Sequence, residues 1–175
     1  MRKLLLVLSI CILIATGCSD KKALTTDVMS GTGYDSLSSV GQGWGFVRKK
    51  GEKPELPSAQ VELLRRYNGE YLDEDGKKTL YLTFDEGYEN GFTAVILDTL
   101  AKTKTPAAFF VTGPYLEGQG ELIKRMIDEG HIVGNHTVNH LNLPKQPPQT
   151  VEDEITELNS LCESMYGYKM KYMRP

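Results

Sequence analysis

Asp85 and Glu86 stand side by side after an apolar run, Thr79–Phe84, and His136 and His140 stand four positions apart further along the chain. Two carboxylates and two imidazoles are enough to hold one divalent ion and to leave one carboxylate off it as a base. Imidazole nitrogen with carboxylate oxygen suits zinc, with cobalt or manganese as alternatives, and leaves positions open for water and substrate. Such an ion lowers the pKa of a water molecule from ~15.7 toward ~7, which points to hydrolysis. Each pair also has a plainer reading. A His-x-x-x-His spacing is common in surface or capping histidines, and Glu86-Gly87 with Glu89-Asn90-Gly91 has the composition of an exposed acidic turn. The chemical reading gains because both pairs follow apolar runs, and α/β folds carry their sites at the carboxyl ends of strands.

The elements that would position these residues begin near Lys78. Strands are expected at Thr79–Phe84, Ala107–Val111, Ile132–Asn135 and Tyr168–Met173. Phe92, Val95, Ile96, Thr99 and Leu100 follow helical spacing, and Pro106 breaks that helix. A second helix is expected over Glu121–Glu129, with Leu122, Ile123, Met126 and Ile127 inward and Gly130 as its stop. A third is capped by Thr150, buries Val151, Ile155, Leu158, Leu161 and Met165, and ends at Gly167. Arg174 falls at the tip of the fourth strand, where a guanidinium can pair with Asp85 and orient it. Taken alone it reads first as an exposed arginine. The order β-α-β-α-β-α-β calls for an α/β fold with a parallel sheet and right-handed crossovers. About four β/α units do not close a barrel, which needs roughly 200 residues or more. The expectation is an incomplete barrel, the N-terminal piece of a longer domain.

Composition sets the outer limits. The 175 residues are 40% hydrophobic and 25% charged, with a formal net charge of −3. No Lys/Arg cluster is dense enough for a phosphate backbone, so a nucleic-acid partner is excluded. Arg2-Lys3 followed by the apolar run Leu4–Ile14 reads as a signal peptide over residues 1–17. The run closes on Ala15-Thr16-Gly17-Cys18, which resembles a bacterial lipoprotein signal with Cys18 as the lipidated residue. Ala15 departs from the usual Leu, and a plain secretory peptide is the alternative. Either way the protein is exported, to the outer face of the bacterial cytoplasmic membrane or to the cell wall. Residues 18–58 read as a tether and N-terminal arm, with Trp44 packing on the domain surface. A short helix follows over Ala59–Tyr67, and the domain proper spans 59–175. Cys11 lies in the signal and Cys162 in the third helix, so no disulfide framework is expected, and the protein is taken as a monomer.

Four segments occur in a telling order: Thr83-Phe84-Asp85-Glu86-Gly87-Tyr88, Phe109-Phe110-Val111-Thr112-Gly113, Glu129-Gly130-His131-Ile132-Val133-Gly134-Asn135-His136-Thr137, and Met173-Arg174-Pro175. The set, over residues 78–175, resembles the NodB-homology polysaccharide deacetylases, metal-dependent enzymes on a distorted (β/α) barrel. Gly43-Trp44-Gly45-Phe46 and the stretch Thr83–Gly91 look most like the subgroup that deacetylates muramic acid in peptidoglycan toward the δ-lactam of spore cortex. The resemblance implies Asp85 as catalytic base, Arg174 as its tether, and His136 and His140 as metal ligands. Glu86 falls where the family has a metal-binding Asp, and is one methylene longer. A backbone N–H near Tyr115 would serve the oxyanion. The family's late His, which protonates the leaving amine, has no counterpart up to Pro175. Two other readings stand beside this one: a glycan-binding lipoprotein without catalysis, and a deacetylase of N-acetylglucosamine, chitin or acetylated xylan.

Overall fold

Ala108–Val111 is apolar at every position, as a strand covered on both faces must be. In the computed structural model, which describes residues 40–41, 43, 45–73 and 78–175, it forms β2, the centre of a three-stranded parallel sheet. β1 (Thr83–Glu86) lies on one side and β3 (Ile132–Asn135) on the other. The register sets Asp85 beside Phe110 and Gly134, and Glu86 beside Val111 and Asn135. The expected signal peptide, Cys18, Trp44 and most of the tether fall outside the described residues.

Four of the helices pack on one face of this sheet. α1 (Ser58–Arg66) precedes it, α2 (Thr93–Thr103) joins β1 to β2, and α3 (Gly113–Gly118) with α4 (Gly120–Asp128) joins β2 to β3. α5 (Pro148–Tyr166) follows β3 after a single 3-10 turn at Leu143–Lys145. One core draws on α2 to α5 and on the sheet: Leu97 and Leu100 from α2, Phe109 and Val111 from β2, Leu116 from α3, Ile123 and Met126 from α4, Val133 from β3, and Leu158 and Cys162 from α5. Phe109 is fully buried and stacked on Phe84, so truncating it to Ala costs about 3–5 kcal/mol. Gly130, at φ +81°, ends the α4 segment as the spacing predicts, and Gly167, at φ +65°, ends α5.

Several expectations shift. β1 begins four residues later than Thr79, because its ladder with β2 starts only where Leu82 O accepts the Ala108 N–H; Leu80 and Tyr81 stay exposed. Asp85 and Glu86 therefore lie within the strand, not beyond it. In α2 the buried positions are Thr93, Leu97 and Leu100, while Phe92 and Val95 face solvent. In α5 they are Glu154, Leu158 and Cys162, and Met165 is exposed. Thr150 does not cap this helix. Pro148 starts it, at the position where a missing N–H costs no helical bond. α3, at six residues, is too short to give a periodic signal in the sequence. The fourth strand is reduced to one parallel bridge between Asn135 and Met173. The expected N-terminal arm is pinned by an antiparallel bridge between Val47 and Glu55. Cys162 is a free, fully buried thiol that burial pushes up to about 11.

Candidate active site

Successive side chains of a strand point to opposite faces. Asp85 accordingly shares the face of Phe110 and Gly134, and Glu86 takes the other. Above Asp85 lies the segment that follows the Met173 bridge. Asn135 N–H donates to Tyr172 O, and Arg174 N–H donates to Asn135 O, so β3 fixes where Arg174 begins. From there the Arg174 guanidinium donates from Nη1 to Asp85 Oδ1 at 2.6 Å and from Nη2 to Thr83 Oγ1 at 3.1 Å. Its carbon sits 4.3 Å above the centre of the Phe110 ring. Gly134 makes that ring position available, since a Cβ there would stand 2.6 Å from Phe110 Cδ1. Both partners of the ion pair are more than a third exposed, at 37% and 46% of the side chain, so the pair adds at most about 1 kcal/mol to stability. Its consequence is orientation of one carboxylate.

The same arginine also holds a histidine. His136 Nδ1 lies 2.8 Å from Arg174 O. A carbonyl oxygen can only accept, so Nδ1 carries a proton, and in the neutral ring Nε2 keeps its lone pair. The buried His136 backbone is tied to β2 through Val111 O. His140 brings its ring to 4.5 Å from that of His136, centre to centre, and its N–H donates to Thr137 Oγ1 at 2.9 Å. Two nitrogen donors side by side, one with its tautomer set from behind, fit an ion of zinc's type.

Glu86 does not join them. Among the described residues no three His, Cys, Asp or Glu side chains converge closely enough to share one ion. Glu86 is half-buried, and its carboxyl is raised above the ordinary value by burial, then by the charges of Glu89 and Asp85. The extra methylene noted in the sequence and the alternation of β1 both act against a place beside the imidazoles.

Tyr115 is buried, and its phenol is already engaged: it donates to Glu89 Oε2 at 3.0 Å and stands 3.2 Å from Thr93 Oγ1. Burial, more than any charge, pushes it far above its ordinary range. What Tyr115 can offer a ligand is its backbone N–H, in the first turn of α3, where a helix leaves amides unpaired.

Three contributors escaped the sequence. Glu89 accepts from Gly91 N at 2.5 Å and from Thr93 N at 3.4 Å, so it braces the loop after β1 onto the start of α2. Asn135 uses its whole side chain: Oδ1 accepts from Thr137 N, and Nδ2 donates to Ile155 O and Asn159 Oδ1, all at 2.8 Å. Glu154, only 4% exposed, accepts from Asn139 N at 2.7 Å and Asn139 Nδ2 at 2.6 Å. The available signal was the four-residue spacing of Glu154, Leu158 and Cys162, a stripe in which an acid holds an inward position.

A model of the polysaccharide deacetylase family matches residues 73–175. The peptidoglycan-N-acetylmuramic acid deacetylase PdaA of Bacillus subtilis (strain 168) is 41% identical over 134 residues, which are 75% of this chain and 51% of that protein. The solved structure of Bacillus subtilis PdaA, a family 4 carbohydrate esterase, superposes with a TM-score of 0.71 at 40% identity, covering 75% of this chain and 57% of that one. A family 4 carbohydrate esterase from Bacillus anthracis gives 0.69 at 39% identity, covering 78% and 62%. The chain spans about half the length of the curated relatives it matches.

Proposed function

The chain belongs to the polysaccharide deacetylase family, and from that premise we propose that it is part of an exported, divalent-metal-dependent hydrolase that removes N-acetyl groups from peptidoglycan. The observation that carries this reading is the double use of Arg174, whose side chain holds Asp85 and whose carbonyl holds His136. One residue thereby couples a general base to an imidazole whose free nitrogen can ligate.

In this reading His136 and His140 hold the ion, zinc by preference with cobalt or manganese as alternatives. An ion held there would supply Lewis acidity, to polarise the acetyl carbonyl and to make water acidic enough to react near neutral pH. Asp85 takes the proton of the attacking water, and Arg174 keeps its carboxylate turned toward that water. The Tyr115 N–H donates to the oxygen of the carbonyl as negative charge grows on it. The amide C–N bond then breaks, giving acetate and an amine on the sugar.

N-acetylmuramic acid is the proposed sugar, supported by the likeness to PdaA over three quarters of this chain. Its freed amine can condense with the lactyl carboxyl of the same residue, giving a δ-lactam and water, the product placed in spore cortex. Residues 1–17 as an export signal and Cys18 as a lipid anchor would hold the enzyme on the outer face of the membrane, beside its polymer. The distorted (β/α) barrel is the matching proposal for the complete fold.

Acetate release from purified peptidoglycan, with and without added zinc, tests the proposal. Zinc-dependent acetate with loss of N-acetylmuramic acid is the expected result. Glycan binding without any acetate would instead make the protein a sugar-binding module, and release only from N-acetylglucosamine polymers or acetylated xylan would move the substrate.

A further inference from the structure

The five-residue loop His136–His140 is unusual in its backbone. Thr137, at φ +65°, and His140, at φ +52°, both occupy the left-handed region, which costs a residue with a Cβ roughly 1–2 kcal/mol. Two such residues in one short loop persist only where the surroundings dictate the conformation. His136 has its own anchors in Val111 O and Arg174 O. His140 has none of comparable depth. Its N–H reaches only Thr137 of the same loop, and its ring is exposed.

The outside support comes from α5. Glu154 receives both N–H groups that Asn139 presents, and its own backbone carbonyl receives the Val138 N–H at 3.1 Å. Three hydrogen bonds from one helix position thus fasten the two residues just before His140. The carboxylate is buried, where an acceptor without donors costs about 1–3 kcal/mol or more. Glu154 and the loop are therefore held to one mutual arrangement.

We propose that Glu154 is a positioning residue for His140: by clamping Val138 and Asn139 it sets the imidazole against that of His136, and so sets the affinity of the histidine pair for a divalent ion. This rests on the reading of His136 and His140 as metal ligands.

The experiment uses the full chain and zinc alone, with affinity measured by competition against a chromophoric chelator. Histidine ring NMR signals are followed in zinc-free protein. Glu154→Ala is expected to weaken zinc binding at least tenfold, within the 10–100-fold range of lost outer-shell partners. It should move the His140 ring signals and leave those of His136 in place. Glu154→Gln is expected to recover most of the affinity, because its carbonyl can accept the Asn139 N–H and its amide can donate to Asn139 Oδ1 after that side chain flips. A folded Glu154→Ala with unchanged zinc affinity and unmoved His140 signals would overturn the proposal. Should Glu154→Ala not fold, Asn139→Ala removes one of the two donors to the Glu154 carboxylate from an exposed loop position and is expected to weaken zinc binding, with unchanged affinity again overturning the proposal. A wild-type chain that binds no zinc would sink the metal reading, and the His140 signals would still decide whether Glu154 places that ring.

Discussion

Arg174 Nη1 lies 2.6 Å from Asp85 Oδ1 across 89 positions of chain, and the carbonyl of the same Arg174 accepts from His136 Nδ1 at 2.8 Å. The two contacts use different parts of the residue. The guanidinium aims a carboxylate, and the backbone aims an imidazole, so a side-chain substitution separates them.

Arg174→Gln should therefore reduce acetate release by about 10–100-fold, the usual effect of losing a group that orients a site. Zinc affinity should hold, since the carbonyl remains. The melting temperature should hardly move, because an exposed pair contributes about 0–1 kcal/mol. Turnover equal to wild type would show that Asp85 needs no orientation from this side.

Asp85→Asn keeps the shape of the side chain and removes the base. Turnover should fall about 10²–10⁴-fold, the range for a lost general base, with bound zinc retained. His140→Ala should do the reverse in its first effect, losing zinc on dialysis. Metal content by mass spectrometry beside acetate release distinguishes the two, and zinc retained by His140→Ala would remove that residue from the ligand set.

Gly134→Ala tests the seat of the Phe110 ring. The new Cβ would fall 2.6 Å from Cδ1 and 2.7 Å from Cε1 of Phe110, with Tyr172 O at 3.3 Å. Overpacking of this kind costs about 1–3 kcal/mol, so thermal unfolding should shift down. Adding Phe110→Leu, which removes the ring edge, should restore part of the loss. A Gly134→Ala protein as stable as wild type would mean that β2 and β3 slide apart without penalty.

Glu86 supplies a pH dependence. Its folded carboxyl is raised above the ordinary value of 4.5 by burial, Glu89 and Asp85, so folding favours its neutral form. The stability it contributes is complete below that ordinary value and is lost as pH rises through the folded one. Glu86→Gln is never charged. It should melt higher than wild type at pH 7, and the difference should close as pH falls below about 4.5. A difference that stays constant across that range would assign the effect to packing and not to charge.

Much of this was legible in the sequence because it rests on neighbours along the chain. Ile132–Asn135 is a strand at the predicted boundaries, the α4 segment stops at Gly130, and Gly167 ends α5, all from periodicity and backbone freedom that each segment carries in itself. The four-residue spacing of His136 and His140 is legible in the same way, whereas the backbone that brings their rings to 4.5 Å is held from outside the loop by Arg174 O and Glu154. Other features depend on partners far away in sequence. The motif pairs Glu86 with the histidines; alternation along β1 alone parts it from Asp85, but which face meets the histidines is decided by the register across β1, β2 and β3. Arg174 read by itself as an exposed arginine, and only the Met173 bridge to Asn135 swings it over Phe110 to Asp85. Apolar residues alone predict the inward stripe of α5 without Glu154, which is buried there accepting from the backbone and side-chain amides of Asn139. Periodicity is a property of adjacent bonds and survives in a bare sequence. A hydrogen-bond partner across a parallel sheet is chosen by crossovers and packing, and exists only once the chain has folded.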